Sequence, residues 1–413
     1  MALRDRIAVL RTLDPAEPGL TDLAPLRAVL AEARVVGVGE GSHFVREFTL
    51  ARARLLRYLV EECGFTILAF ELGASEAAAL NPWLAGDGDD ADLPRLAGPL
   101  TAGLFGELLG WLRRYNRSQP HPLGIVGIDL PNTLTLRPDL QPVADYLRVV
   151  DPEAAELLDR MFPVADEITG GSAAVSAPQW SALDPARQDA LTAGLARLSL
   201  RMQALHPVYL SRSDPDRYAN ARRRLDAACH TAYMLRAMSD LFSGEDLPGD
   251  TSIRDHFMAA TVQWHLSAAG PHARMAVVAH NNHIQKTPVR FDGKLTALPM
   301  GHYLAHNLGR EYRAVALTHT GDRVPEMAFP ADGSPVGFTV EEVDVPAPVP
   351  GSVEQAILDA GFTGEITLTD VRAAESPLTS IRTQSAAVET DVRQAFDTVL
   401  TSPAATRDDT VTF

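Results

Sequence analysis

Cysteine is almost missing from this sequence: its 413 residues contain two, Cys63 and Cys229. Two thiols cannot build a thiolate zinc cage or a disulfide framework. Lysine is equally scarce, with only Lys286 and Lys294 among 37 basic residues, a matter of codon usage more than of function. Basic charge is short overall, because 53 acidic residues leave a formal charge of −16. Nucleic acid and anionic membrane surfaces both select a basic patch, so neither is expected as a partner. Long hydrophobic runs are absent too. The most apolar stretch, residues 96–112, contains Glu107 and four glycines, which falls short of the ~20 uncharged residues of a membrane helix. The N-terminal MALRDRIAVLRTLDP shows no signal-peptide h-region, and a cytoplasmic protein is expected.

What the sequence does contain is the composition of a globular protein, 46% hydrophobic and 22% charged. Five β-branched runs end in polar residues: 34–40 (RVVGVGE), 66–72 (TILAFEL), 123–130 (LGIVGIDL), 275–282 (MAVVAHNN) and 313–320 (RAVALTHT). Their continuous apolar character predicts strands buried on both faces. Between them lie helical patterns. Phe48, Ala51, Leu55, Leu59 and Cys63 form one apolar stripe, with Arg52 close to it and Arg46, Arg54 and Arg57 reading as a solvated face. Ile253, Phe257, Ala260 and Trp264 form another, after Ser252 and Asp255 at capping-box spacing. The alternation predicts an α/β fold, a mostly parallel central sheet flanked by helices. Residues 138–249 carry no strand signal and are expected to form a large helical insertion over the sheet's carboxyl edge. That insertion splits the α/β core into 1–137 and 250–413, the latter ending in a C-terminal extension beyond the Pro-rich 345–351.

Ligands of open α/β sheets bind at the carboxyl ends of the strands. There the first run delivers Gly39-Glu40-Gly41-Ser42-His43, the second Glu71, the third Asp129 and the fourth His280-Asn281-Asn282-His283. One ionisable strand end means little; four that mix histidine with carboxylate point to a catalytic cleft. Asp129 and Asn281 are the candidates for contacting substrate. Arg52, on the helix after His43, is either half of a structural ion pair with Glu40, Glu71 or Asp129, or a cation for the transition state. Gly37, Gly39 and Gly41 miss the dinucleotide fingerprint by one residue, so they are read as letting the backbone turn Glu40 and His43 into the cleft. Ser42 lacks the G-x-S-x-G elbow of a serine hydrolase. The spacing of His280 and His283 suits a metal on a helix, yet the surrounding sequence reads as strand into loop. No cofactor is expected, and a divalent ion at the His/Glu cluster stays an open alternative.

Taken together, VVGVGEGSHFVREF (35–48), FTILAFELG (65–73), GIVGIDLP (124–131), VVAHNNHIQKTP (277–288) and DGKLTALPMG (292–301) resemble the erythromycin esterase family. The likeness extends over nearly the whole chain. It implies hydrolysis of the macrolactone ring of 14-membered macrolides by an activated water, without an acyl-enzyme, and a metal dependence that differs between members. It also implies that the family's histidines fall on His43, His280 and His283, its glutamates on Glu40 and Glu71, and its helix arginine on Arg52. Gly41 and Asn282 depart from the family's usual polar and small residues. On residues and resemblance alike, His43 is expected to be the general base, with Glu40 or Glu71 orienting its ring. His280 or His283, with Arg52, is expected to hold the oxyanion. The substrate expected is a small molecule, a macrolide or related lactone or ester, in a resistance enzyme. The alternative is a biosynthetic relative acting on another ester or catalysing cyclisation or dehydration. A non-catalytic binding protein has no need of the Glu/His set. Nothing in the sequence sets an oligomeric state.

Overall fold

The computed structural model describes residues 3–409 and 411, apart from 292, 330–332 and 373. Ten strands matter here: β1 (Ile7–Leu10), β2 (Val35–Val38), β3 (Ile67–Gly73), β4 (Ile125–Asp129), β5 (Met275–Val278), β6 (Tyr312–His319), β7 (Arg323–Ala328), β8 (Thr339–Asp344), β9 (Ile366–Asp370) and β10 (Thr398–Ser402). Eight of them form one sheet in the order β1-β9-β10-β6-β2-β5-β3-β4, and β7 pairs with β8 in a separate hairpin. From β10 to β4 every pairing is parallel; β9 and β1 close the far edge antiparallel.

The five apolar runs are the five contiguous strands β6, β2, β5, β3 and β4. Every residue of β2 and β5 is buried, which is why their sequences do not alternate. The other three strands lack that signature. Strand β1 is short and half exposed, while the apolar residues of β9 (ITLTD) and β10 (TVLTS) are interrupted by threonines. The chain beyond the Pro-rich segment therefore adds strands to the main sheet.

Topology explains how distant residues meet. Strand β5 enters between β2 and β3, so the carboxyl ends of β2, β5 and β3 stand side by side although nearly the whole first two thirds of the chain separates them. Glu40 and His280 lie just past the ends of β2 and β5, Glu71 lies within β3 near its end, and Asp129 is the last residue of β4, outside β3.

Helix α1 (Arg46–Cys63) packs its apolar stripe into the core beneath the sheet. Arg54 corrects the reading of its polar face: it is buried, with Nη2 on Asp22 Oδ1 at 2.8 Å and on the Gly19 carbonyl at 2.8 Å. The segment preceding β2 folds across this side of the helix, and Arg57 donates to three of its carbonyls. Helix α2 (Leu93–Asn116) breaks at Gly98, whose φ of 75° falls in the left-handed region. Between β4 and β5, residues 137–243 form seven helices and no strand. They share a core that includes Leu140, Leu147, Leu198, Tyr209 and Leu225. The longest, α3 (Pro215–Ser243), leans on α4 (Ser252–Ala268), which packs against β4. Among the described residues no helix is long and apolar enough to cross a membrane.

Candidate active site

The turn after β2 is tight. A Cβ on Gly39 would lie 2.0 Å from Asn281 Oδ1, and one on Gly41 would lie 2.7 Å from the Leu317 carbonyl oxygen. Close approach, more than an unusual backbone angle, is therefore what requires glycine here. Phe44 is the residue with positive φ, 63°. The turn buries Glu40 and leaves the His43 side chain 20% exposed. His43 Nδ1 lies 2.8 Å from Glu40 Oε1. A carboxylate only accepts, so Nδ1–H donates and Nε2 is left as the basic nitrogen. The other Glu40 oxygen takes Arg52 Nη2 at 2.9 Å. Arg52 is thus the structural partner of Glu40. Its side chain is 1% exposed, lies over the Phe105 ring, and is walled off from any substrate. The oxyanion role expected for Arg52 is corrected by this burial.

The second half of the site is a chain of alternating charge on β3, β4, β5 and α4. Glu71 Oε2 accepts the His280 backbone N–H at 2.8 Å, and Oε1 meets Arg254 Nη2 at 2.8 Å and His283 Nε2 at 3.4 Å. His283 Nδ1 reaches Asp255 Oδ1 at 2.7 Å. Arg254 in turn grips Asp129, with Nε 3.0 Å from both carboxylate oxygens and Nη2 2.5 Å from Oδ2. Burial alone would drive His283 toward neutrality, but Asp255 and Glu71 on either side raise its pKa to about 10. Burial likewise pushes the Glu71 carboxyl up, and His283 and Arg254 outweigh it, holding the group well below its usual range. His280 behaves oppositely. Burial, helped by His43 and His283 nearby, keeps it neutral. Its Nδ1 accepts the Asn282 N–H at 3.1 Å, so the proton sits on Nε2, and its ring centre is 4.9 Å from that of His43.

The charge state of His283 has a measurable consequence. Its folded pKa lies above the unfolded one, so its stabilising contribution is complete below 6.5 and is lost as pH rises through about 10. Nitrogen-15 NMR at a pH midway between these values is expected to show both His283 ring nitrogens protonated. A neutral ring there would remove the alternating-charge description.

Two residues of this network, Arg254 and Asp255, were missed by sequence reasoning. Ser252 does not cap α4 with Asp255. Its hydroxyl accepts the Leu298 N–H, and Asp255 turns inward to His283 and the Met300 N–H. The only available signal was an Arg-Asp pair in the first turn of a helix preceding the strand that carries His280. Asn281, expected at the substrate, is corrected: its amide donates to the Leu317 carbonyl at 2.8 Å and accepts the Leu317 N–H at 3.3 Å, tying β5 to β6. Asp129 is also withdrawn from direct contact, since its carboxylate is sealed behind Arg254. Ser42 is buried and hydrogen-bonded to Gln384 and the Pro325 carbonyl, so it is no free nucleophile. Cys63 and Cys229 are unpaired, and burial holds both thiols in the protonated form. Among the described residues no group of three or more His, Cys, Asp or Glu side chains is disposed to hold a metal ion.

His43, Glu71 and Arg254 open onto a cleft of ≈ 840 Å³, counting its mouth. Its walls are apolar: Phe44 and Phe338, Leu100 and Leu104 of α2, Met234 and Met238 of α3. The helical segment thus lines one side of the cleft and the β7–β8 hairpin another.

A parallel α/β sheet whose strand ends carry a carboxylate-held histidine over an apolar cleft defines a site for proton-transfer chemistry on a small organic molecule. The chain belongs to the erythromycin esterase family, whose model matches residues 60–408. It is 40% identical over 401 residues to erythromycin esterase type I of Escherichia coli, spanning 97% of each chain. It is 34% identical over 398 residues to the type II enzyme of the same organism, spanning 93% of each. A solved mutant of the erythromycin esterase EreC, in its open conformation, superposes with a TM-score of 0.94 at 40% identity, covering 98% of this chain and 100% of that one.

Proposed function

We propose that this protein is a carboxylic ester hydrolase that opens the macrolactone of 14-membered macrolides such as erythromycin, and that it confers macrolide resistance in the bacterial cytoplasm. The observation that carries this reading is the Glu40–His43 pair, with Nδ1 committed to the carboxylate and the ring opening onto an apolar cleft. Apolar walls suit a macrolactone ring, whose hydroxyls are few for its size.

In this scheme His43 Nε2 takes a proton from a water molecule as the water oxygen bonds to the lactone carbonyl carbon. The carbonyl π pair moves onto oxygen, and the positive charge arising on His43 is answered by Glu40. Arg52 is the second partner of Glu40 in its buried position, 2.9 Å from the oxygen that His43 leaves free. The ester C–O bond then breaks, the carbonyl re-forms, and His43 returns its proton to the departing alkoxide. Because His280 stays neutral, no second imidazolium sits beside His43 to oppose the first proton transfer. Expression in a macrolide-sensitive bacterium is expected to raise the inhibitory concentration of erythromycin, and the His43→Ala variant is expected not to. Equal sensitivity of cells with and without the wild-type enzyme would remove the resistance role.

A further inference from the structure

We propose that Arg254 is a catalytic residue: its free guanidinium edge donates to the oxyanion formed on the lactone carbonyl, the part that the sequence assigned to Arg52. This rests on the hydrolytic reading above and adds one group to it.

Exposure separates the two arginines. The Arg52 side chain is 1% exposed behind Glu40, whereas Arg254 is 26% exposed and lines the cleft together with His43. Among the described residues of the cleft wall Arg254 is the only arginine or lysine. Its donors are unevenly used. Among the described residues Nε and Nη2 carry all of its hydrogen bonds, to Asp129 and Glu71, and Nη1 carries none. The fork is therefore anchored by one edge and open at the other.

The anchoring is rigid. Asp129 is a fully enclosed side chain at the end of a sheet strand, and Arg254 sits in the first turn of α4. A donor fixed in this way does not have to reorganise as charge develops, which is the condition under which it lowers a barrier most. Glu71 does not cancel Arg254, because it is shared with the His283 imidazolium. In the addition step the water proton goes to His43, the new C–O bond forms, and the carbonyl pair becomes the oxyanion. Arg254 contributes a hydrogen bond and a positive charge, and no proton leaves it.

The test is steady-state hydrolysis of erythromycin by full-length Arg254→Ala and Arg254→Lys enzymes, the former with and without added guanidinium chloride. Arg254→Ala is expected to lose about 10²–10³-fold in kcat, the cost of one oxyanion donor, with KM nearly unchanged. Guanidinium, but not equal sodium chloride, is expected to restore part of that kcat and to saturate. Arg254→Lys keeps a cation for Asp129 and Glu71, so it is expected to fold with a wild-type melting temperature and still lose kcat by about tenfold or more. Wild-type kcat in either variant overturns the proposal, as does a folded Arg254→Ala enzyme that guanidinium does not rescue. If Arg254→Ala does not fold, Arg254→Lys alone decides. A wild-type enzyme that leaves the lactone intact overturns the hydrolytic reading instead, before Arg254 is tested.

Discussion

His43→Ala is expected to lower kcat for macrolactone opening by about 10²–10⁴-fold, the range attributed to general acid–base catalysis, with little change in KM. The split follows from position. In the proposed scheme His43 touches the reacting water, while the cleft walls proposed to hold the ring, among them Phe44 and Met238, are untouched by the substitution. The fold should survive, since Glu40 keeps its partner Arg52 and loses only a ring that was itself 20% exposed. A comparable fall in kcat accompanied by a collapse of the melting temperature would instead mark His43 as structural. Retention of near wild-type turnover would remove it as the base.

Glu40→Gln is expected to do two things at once. An amide cannot answer the charge that arises on His43, and its NH2 group lets the ring settle in the wrong tautomer. The corresponding change in a Ser-His-Asp triad costs about 10⁴ in kcat, and a loss of this order is expected here. It also leaves Arg52 buried with no counter-charge, and breaking a buried pair from one side costs about 3–5 kcal/mol. The two effects separate in the double variant Glu40→Gln/Arg52→Met. Replacing both charges by groups that need no partner is expected to recover most of the stability, read by calorimetry, and none of the activity. If the double variant recovered turnover, Glu40 would act only as a prop for Arg52. If Glu40→Gln alone melted like wild type, the pair would not bear on stability.

These expectations show where sequence was informative. The five strands buried on both faces announced themselves by unbroken apolar runs, and their polar ends named Glu40, His43, Glu71, His280 and His283 without knowledge of the strand order. Only the structure shows that β5 lies between β2 and β3, which turns five separated residues into two adjoining groups. Strands β9 and β10 escaped notice because threonines interrupt the apolar run that marked the other strands, although Thr367, Thr369, Thr398 and Thr401 are buried. Partner choice was illegible for a simpler reason. Arginine is long, and its helix position does not say which carboxylate it reaches. Arg52 went to Glu40, Arg54 to Asp22, and the arginine facing the cleft came from α4. Asn281 misled because a polar residue between two site histidines looks functional, yet it serves the backbone of β6.

Opening of the lactone by a His43-activated water is tested by mass spectrometry of erythromycin incubated with the wild-type enzyme and with His43→Ala. The wild-type product is expected to gain one water and to carry a free carboxylate, with unchanged drug from the variant over the same interval. Unchanged drug from the wild type, loss of water in place of gain, or ring opening by His43→Ala at the wild-type rate would contradict it.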